Sequence, residues 1–275
     1  MRLQCGKFHK PDFFITFTCN PFWPEIQNEL QPGQTASSRP DIVVRVFRLK
    51  LVALMDDLRY HGKWPFLCTI GIALYCTCEI FCFVGVFGRC VAFMYVVEYQ
   101  KRGLPHAHIL LMVSEYDRII TPGDVDCTIS AEIPKLPSND LPTSVQQQIR
   151  KLRDTVLKCM IHGPCGILNP RSPCMVNGKC SKGFPKQLRS ETKWEPKSSY
   201  PFYRRRDRSE GGAIGTVGGF EVDNRWVVPY SPYLSLKYDA HINVEACISP
   251  YAAKYLFLYI NKVTKLSIFQ IDQGC

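Results

Sequence analysis

Apolar and polar positions recur along this chain with periods that mark out a small set of elements. Phe13-Phe14-Ile15-Thr16-Phe17-Thr18 is dense in aromatic and β-branched residues and stops at Asn20-Pro21, the pattern of a buried strand ending in a turn. Residues 22–40, with Pro24, Pro32, Gly33 and Pro40, predict a loop. From Asp41 to Arg59, Val44, Phe47, Leu51, Leu54, Met55 and Leu58 recur at three- and four-residue intervals among Arg and Lys, predicting an amphipathic helix with Asp41 as N-cap. Val91 to Tyr99 and His106 to Val113 are β-type runs joined by Gln100 to Pro105, which predicts a hairpin. Thr143 to Met160 carries Val145, Ile149, Leu152, Val156 and Leu157 on one side and predicts a second amphipathic helix. Residues 163–220 are rich in Gly, Pro and Cys and predict long loops. A last helix is expected from about Pro250 to Lys265, with Ser249 as N-cap and Pro250 at the first position. No internal repeat is visible.

One stretch departs from this alternation. Trp64 to Phe87 has a single charge, Glu79, and Cys at 68, 76, 78 and 82. Its length matches a membrane span. A carboxylate inside such a span is costly, and the flanking strand-like runs belong to a folded domain. Membrane association through 64–87 is therefore the weaker reading.

The 275 residues are 46% apolar, enough to bury a core as one large domain or two small ones. Lys and Arg exceed Asp and Glu by 34 to 24, a net +10 that suits a polyanionic partner without naming it. Met1 to Pro11 is polar and lacks a signal-peptide core, so the 14 cysteines read as thiols or zinc ligands rather than a secreted disulfide framework.

His106 and His108 are two apart on a predicted strand, so their imidazoles emerge on one face and can share a divalent cation. Glu98, on the partner strand of the hairpin, is the natural third ligand. A bare His-x-His pair is more often two ordinary strand histidines. Tyr255 and Tyr259 lie four apart on the last predicted helix and present their hydroxyls on one side. Beside a metal, such a phenol can attack a phosphodiester; alone, aromatics at this spacing are usually core.

Cys159, His162, Cys165, Cys174 and Cys180 form C-x2-H-x2-C-x8-C-x5-C in a Gly/Pro-rich stretch, a spacing typical of structural zinc ordering a loop region. Five candidates compete for four places. Cys159, Cys165, Cys174 and Cys180 are the favoured set, with His162 as the substitute.

Four segments, in order, carry a family resemblance: Phe14 to Pro21, Glu98 to His108, Asn224 to Tyr230 and Lys254 to Tyr259. Together they resemble the Helitron helicase-like N-terminal (Rep) domain, of the two-tyrosine HUH endonucleases of rolling-circle transposons. The cysteine-rich segment also resembles the corresponding region of that family. The resemblance implies an α+β fold, an antiparallel palm-like (HUH/Rep) sheet flanked by helices, with a zinc-pinned loop region. It further implies a catalytic Mg or Mn held by Glu98, His106 and His108, nucleophiles Tyr255 and Tyr259, and a 5′-phosphotyrosine intermediate. The expected partner is single-stranded or melted DNA, the expected location nuclear. Lys101, Arg102, Arg204, Arg205 and Arg206 are candidate DNA contacts, although a solvated charge run explains the three arginines equally well.

The chain departs from the family pattern at two places. Residues 63–87 form an anomalous apolar insertion between the first part of the nuclease domain (1–62) and the metal-binding hairpin and helix (88–158), consistent with a retained intron. A zinc loop (159–185), a part with the tyrosine helix (186–265) and a divergent tail (266–275) follow. No G-x-x-x-x-G-K-[ST] loop occurs, so ATP hydrolysis is not expected and the family's helicase domain is not represented here. A catalytically inactive DNA-binding remnant is the alternative to a nicking enzyme.

Overall fold

A computed structural model describes residues 10–60, 85–99, 104–195 and 198–248, and the backbone of 267–270. Helices and antiparallel strands are mixed. Strand β1 (Phe13–Thr18) leads through the short helix α1 (Pro24–Gln27) into the long helix α2 (Pro40–Arg59). The hairpin strands β2 (Cys90–Tyr99) and β3 (Pro105–Val113) follow, then helices α3 (Pro122–Thr128) and α4 (Thr143–Cys159). Beyond α4 come two small ladders, β4 (Met175–Val176) with β5 (Lys179–Cys180) and β6 (Gly215–Val217) with β7 (Phe220–Val222). Helix α5 (Pro232–Tyr238) then feeds β8 (Ile242–Ala246), and β9 (Ser267–Gln270) closes the order. The main sheet runs β8-β1-β3-β2-β9, with every neighbouring pair antiparallel.

The two faces of this sheet differ because side chains alternate along each strand. Phe13, Ile15 and Phe17 of β1, Ala107, Ile109 and Leu111 of β3, and Ile242, Val244 and Ala246 of β8 are buried on one face. Helix α2 covers that face with Val43, Phe47, Leu51, Leu54 and Leu58. Phe17 is fully buried and stacks on Phe47 with ring centroids 5.2 Å apart. Burying a side chain of that size contributes about 1.5–3 kcal/mol, so this row anchors the sheet to the helix. The opposite face carries Thr16 and Thr18 of β1, His106 and His108 of β3, and Asn243 of β8, placed side by side by the pairings Thr18↔His106, Thr16↔His108 and Thr16↔Asn243.

A second core gathers Leu152, Val156 and Met160 of α4 and its end with Trp226, Val227 and Tyr230. It supports the loop-rich region after α4.

Strand β1, the hairpin and both long helices match the elements read from periodicity. Helix α2 starts one residue earlier than expected: Pro40 occupies its first turn, and Asp41 is not the cap but pairs with Arg39 at 2.7 Å. Among the described residues no helix is long and apolar enough to cross a membrane. Residues 61–84, most of the apolar stretch, lie outside the described residues, as does the expected helix at 250–265.

Candidate metal centres

The hairpin register sets Glu98 directly opposite His106, and the i, i+2 spacing puts His108 on the same face. Glu98 Oε2 lies 3.1 Å from His106 Nε2 and 3.6 Å from His108 Nε2. The two imidazoles stand at right angles with centroids 4.8 Å apart. One ligand atom from each of the three residues falls within 4.8 Å of the others. The spacing therefore brings together the trio that the sequence singled out.

Both histidines are nearly buried, at 9% and 8% exposure. Thr16 Oγ1 sits 3.1 Å from His108 Nδ1, which fixes that ring and leaves its Nε2 toward Glu98. Phe14 stacks on the His108 ring, with centroids 5.7 Å apart. Burial, then the neighbouring His106, pull the His108 pKa down from 6.5 to about 4 against the opposing pull of Glu98. His108 is thus neutral around pH 7, the form that ligates metal. His106 Nδ1 is buried with no hydrogen-bond partner among the described residues. The donor set, one carboxylate and two imidazoles offering ligand atoms within 4.8 Å of one another, fits a small divalent cation.

The second group lies past the end of α4. His162, Cys165, Cys174 and Cys180 each offer a ligand atom within 4.8 Å of the rest, a tetrad compatible with zinc. His162 Nε2 approaches Cys180 Sγ at 3.4 Å, and the ring stacks on Phe184 with centroids 4.3 Å apart. The β4–β5 turn runs through Asn177 and Gly178 at φ 50 and 75, a left-handed pair that Asn-Gly adopts readily. This tight turn swings Cys180 back beside Cys174, and the Lys182 N–H donates to Cys180 Sγ at 3.4 Å. Burial raises the Cys180 pKa, but backbone hydrogen bonds from Phe184 and Lys182 together with those from the Cys174 and Cys165 thiols outweigh it, and the net shift is downward, toward the thiolate.

The group that the fold brings together differs from the favoured ligand set. Cys159 stands outside the tetrad and His162 takes its place. Cys159 is the last residue of α4, and its carbonyl is 2.8 Å from His241 Nδ1, whereas His162 lies beyond the helix end, where its N–H donates to the Trp226 carbonyl.

The arginine triplet is engaged within the fold to different degrees, with Arg204 and Arg206 still about one-third exposed. Arg205 is 4% exposed, and its Nη1 donates to the Asn224 and Val227 carbonyls at 2.6 and 2.7 Å. Arg206 and Arg204 both pair with Glu132, and Arg204 pairs with Asp126 at 3.0 Å. These guanidiniums satisfy loop carbonyls and buried carboxylates, a use for which the planar fork is well suited. Tyr255, Tyr259, Lys101 and Arg102 lie outside the described residues.

Sequence reading missed the supporting groups Thr16, His241 and Asn243. The alternation in Ile242-Asn243-Val244-Glu245-Ala246 was the available signal for β8.

Residues 3–111 match the family model of the Helitron helicase-like domain at N-terminus. This is the family that the motif order resembles, and Glu98, His106 and His108 all fall inside the matched segment. The cysteine tetrad lies outside the Helitron match, in residues 162–180. No curated protein matches the chain.

Proposed function

We propose that this chain nicks single-stranded DNA and transfers the cut end in Helitron-type rolling-circle transposition, using an HUH-type palm-like sheet. The observation that supports this reading is the trio Glu98, His106 and His108 converging on the polar face of a central sheet, within the segment that matches the Helitron family. Those three residues would hold Mg or Mn. Bound there, the cation would offset phosphate charge and stabilise the developing oxyanions.

Tyr255 and Tyr259 are the proposed nucleophiles. The phenol oxygen attacks phosphorus and loses its proton; the bond from phosphorus to the 3′ oxygen breaks, and that oxygen leaves as a 3′ hydroxyl. The 5′ phosphate stays esterified to tyrosine. A second tyrosine lets the protein hold one end while cutting or rejoining another. His108 stays neutral to bind the cation, and Thr16 holds it in the ligating orientation. His162, Cys165, Cys174 and Cys180 would hold a structural zinc that orders the loops after α4. This reading implies action in the nucleus.

Single-stranded oligonucleotide with Mg or Mn is expected to yield a covalent protein–DNA adduct that disappears in the Tyr255→Phe, Tyr259→Phe double variant. Adduct persisting in that variant removes the assigned nucleophiles. A non-catalytic DNA-binding remnant is the second reading, favoured by the apolar 63–87 stretch that interrupts the family pattern; it predicts binding with no adduct from the unaltered chain.

A further inference from the structure

Phe22 is 64% exposed, yet the turn that carries it is fixed on all sides. Its N–H donates to Asn20 Oδ1 at 2.9 Å, and the buried Asn20 uses its Nδ2 to reach the Asp239 carbonyl at 2.7 Å. The next residue, Trp23, is fully buried and donates from Nε1 to the Tyr238 carbonyl at 2.8 Å. One residue before Asn20, the Cys19 N–H donates to the carbonyl of Pro105, the neighbour of His106. A large aromatic ring is thereby held in solvent on a rigid support, in the turn that follows the strand paired with His106 and His108.

A cation lies against this ring. Lys158 Nζ sits 5.4 Å from the Phe22 ring centroid. Lys158 also borders a shallow cleft of about 400 Å³ lined by Arg150, Lys151, Asp154, Thr155 and Asp239. One of the two acids is already engaged, since Asp239 accepts from the Thr155 hydroxyl at 2.7 Å and faces Lys158 at 4.0 Å. The cleft and the trio are joined through the residue before β8: His241 bonds Cys159 at the end of α4, and its carbonyl accepts the N–H of Thr18, the residue paired with His106. Phe22 is four residues beyond Thr18, so at most roughly 14 Å of chain separates the ring's backbone from the metal row.

A fixed aromatic face flanked by lysines is the arrangement that grips unpaired nucleotides, because every base has a face to stack and every linkage a charge to neutralise. Duplex DNA offers no free base face to such a ring. We propose that single-stranded DNA leaving the metal row stacks a base on Phe22, with its phosphates lying along Lys158, Lys151 and Arg150. This strand path rests on the nicking reading and extends it to a named contact surface.

The test uses the full chain, a fluorescein-labelled oligothymidine and the same sequence as a duplex, without added divalent metal, so that binding is read apart from cleavage. Phe22→Ala is expected to weaken single-strand binding roughly 5- to 150-fold, the range for losing one stacked base, and to leave the salt slope unchanged. Lys151→Ala with Lys158→Ala is expected to flatten the slope of log K against log salt by roughly 0.7 for each lost phosphate contact. Phe22→Trp guards against misfolding: it is expected to retain affinity, and its indole emission is expected to fall when the oligonucleotide binds. Unchanged affinity in Phe22→Ala, indole emission indifferent to the oligonucleotide, or equal dependence on Phe22 for duplex would each overturn the proposal. Adduct formation with Mg or Mn, assayed in parallel, keeps the two ideas separate: Phe22→Ala that binds normally and still forms adduct sinks only the strand path. An unaltered chain that binds no single strand sinks both.

Discussion

Thr16 Oγ1 and His108 Nδ1 lie 3.1 Å apart across the β1–β3 ladder, and this contact points the other ring nitrogen toward Glu98. A ligand histidine held by such an outer contact loses ring orientation when the contact is removed. Thr16→Val preserves shape and β-branching but deletes the hydroxyl, so Mn affinity at the trio is expected to fall by about 10- to 100-fold with little change in melting temperature. Titration calorimetry, or paramagnetic resonance of free Mn, reads this directly. An affinity equal to that of the unaltered chain would mean the hydroxyl does not orient the ring.

Asn20 makes a different kind of contribution. It is buried, and both ends of its amide are used, one by Phe22 N–H and one by the Asp239 carbonyl. Asn20→Ala leaves a donor and an acceptor without partners beside the sheet, for an expected loss of about 2–3 kcal/mol. Urea unfolding followed by circular dichroism checks the size; a loss below about 1 kcal/mol would show that water replaces the amide at little cost.

These two residues mark how far the sequence carried. Strand β1 and helix α2 were legible because each buries one face only, so apolar positions repeat with the period of the element. The trio was legible for a related reason: a short hairpin fixes its own register, so Glu98 had to fall opposite His106. Strand β8 alternates just as plainly in burial, but its partner β1 lies more than two hundred residues away, and nothing local names that pairing. The choice between Cys159 and His162 depended on where α4 ends, and spacing alone does not reveal which side chain then turns toward the other three. The burial of Arg205 was not legible because three adjacent charges look solvated; the loop carbonyls of Asn224 and Val227, about twenty residues on, turn it inward.

Glu132 ties that cluster to pH. Burial pushes its carboxyl pKa up, but hydrogen bonds from Arg206 and the charges of Arg206 and Arg204 outweigh burial, so the net shift is downward from 4.5. The unfolded chain therefore takes up this proton first as pH falls. The contribution to stability is full above about pH 4.5 and is lost as pH drops through the lower folded value. Glu132→Gln should cost about 2–3 kcal/mol at pH 7, below the range for fully buried pairs because both arginines are about one-third exposed. The difference between the unaltered chain and the variant should shrink as pH is lowered from 5 to 3. A difference constant over that window would show that Glu132 keeps no special proton affinity in the fold.

The zinc tetrad yields the sharpest test of geometry against spacing. Cys174 and Cys180 are brought together by a two-residue turn, His162 is fixed by Trp226 and Phe184, and both cysteines and Phe184 pack on the second core, so the tetrad ties these loops to that core. Removing zinc should therefore loosen residues 162–186 and the Trp226 side of the second core while leaving the β1–β3 ladder protected, because that ladder is anchored separately by α2. Hydrogen exchange before and after chelation should show protection lost in the first region and kept in the second. Cys174→Ser should release the metal, read with a zinc-sensitive dye, and reproduce the exchange pattern of the chelated protein. Cys159→Ser should retain one zinc per chain, since that thiol lies outside the tetrad. Loss of zinc from Cys159→Ser with retention in His162→Ala would restore the all-cysteine set and show that the imidazole merely packs on Phe184.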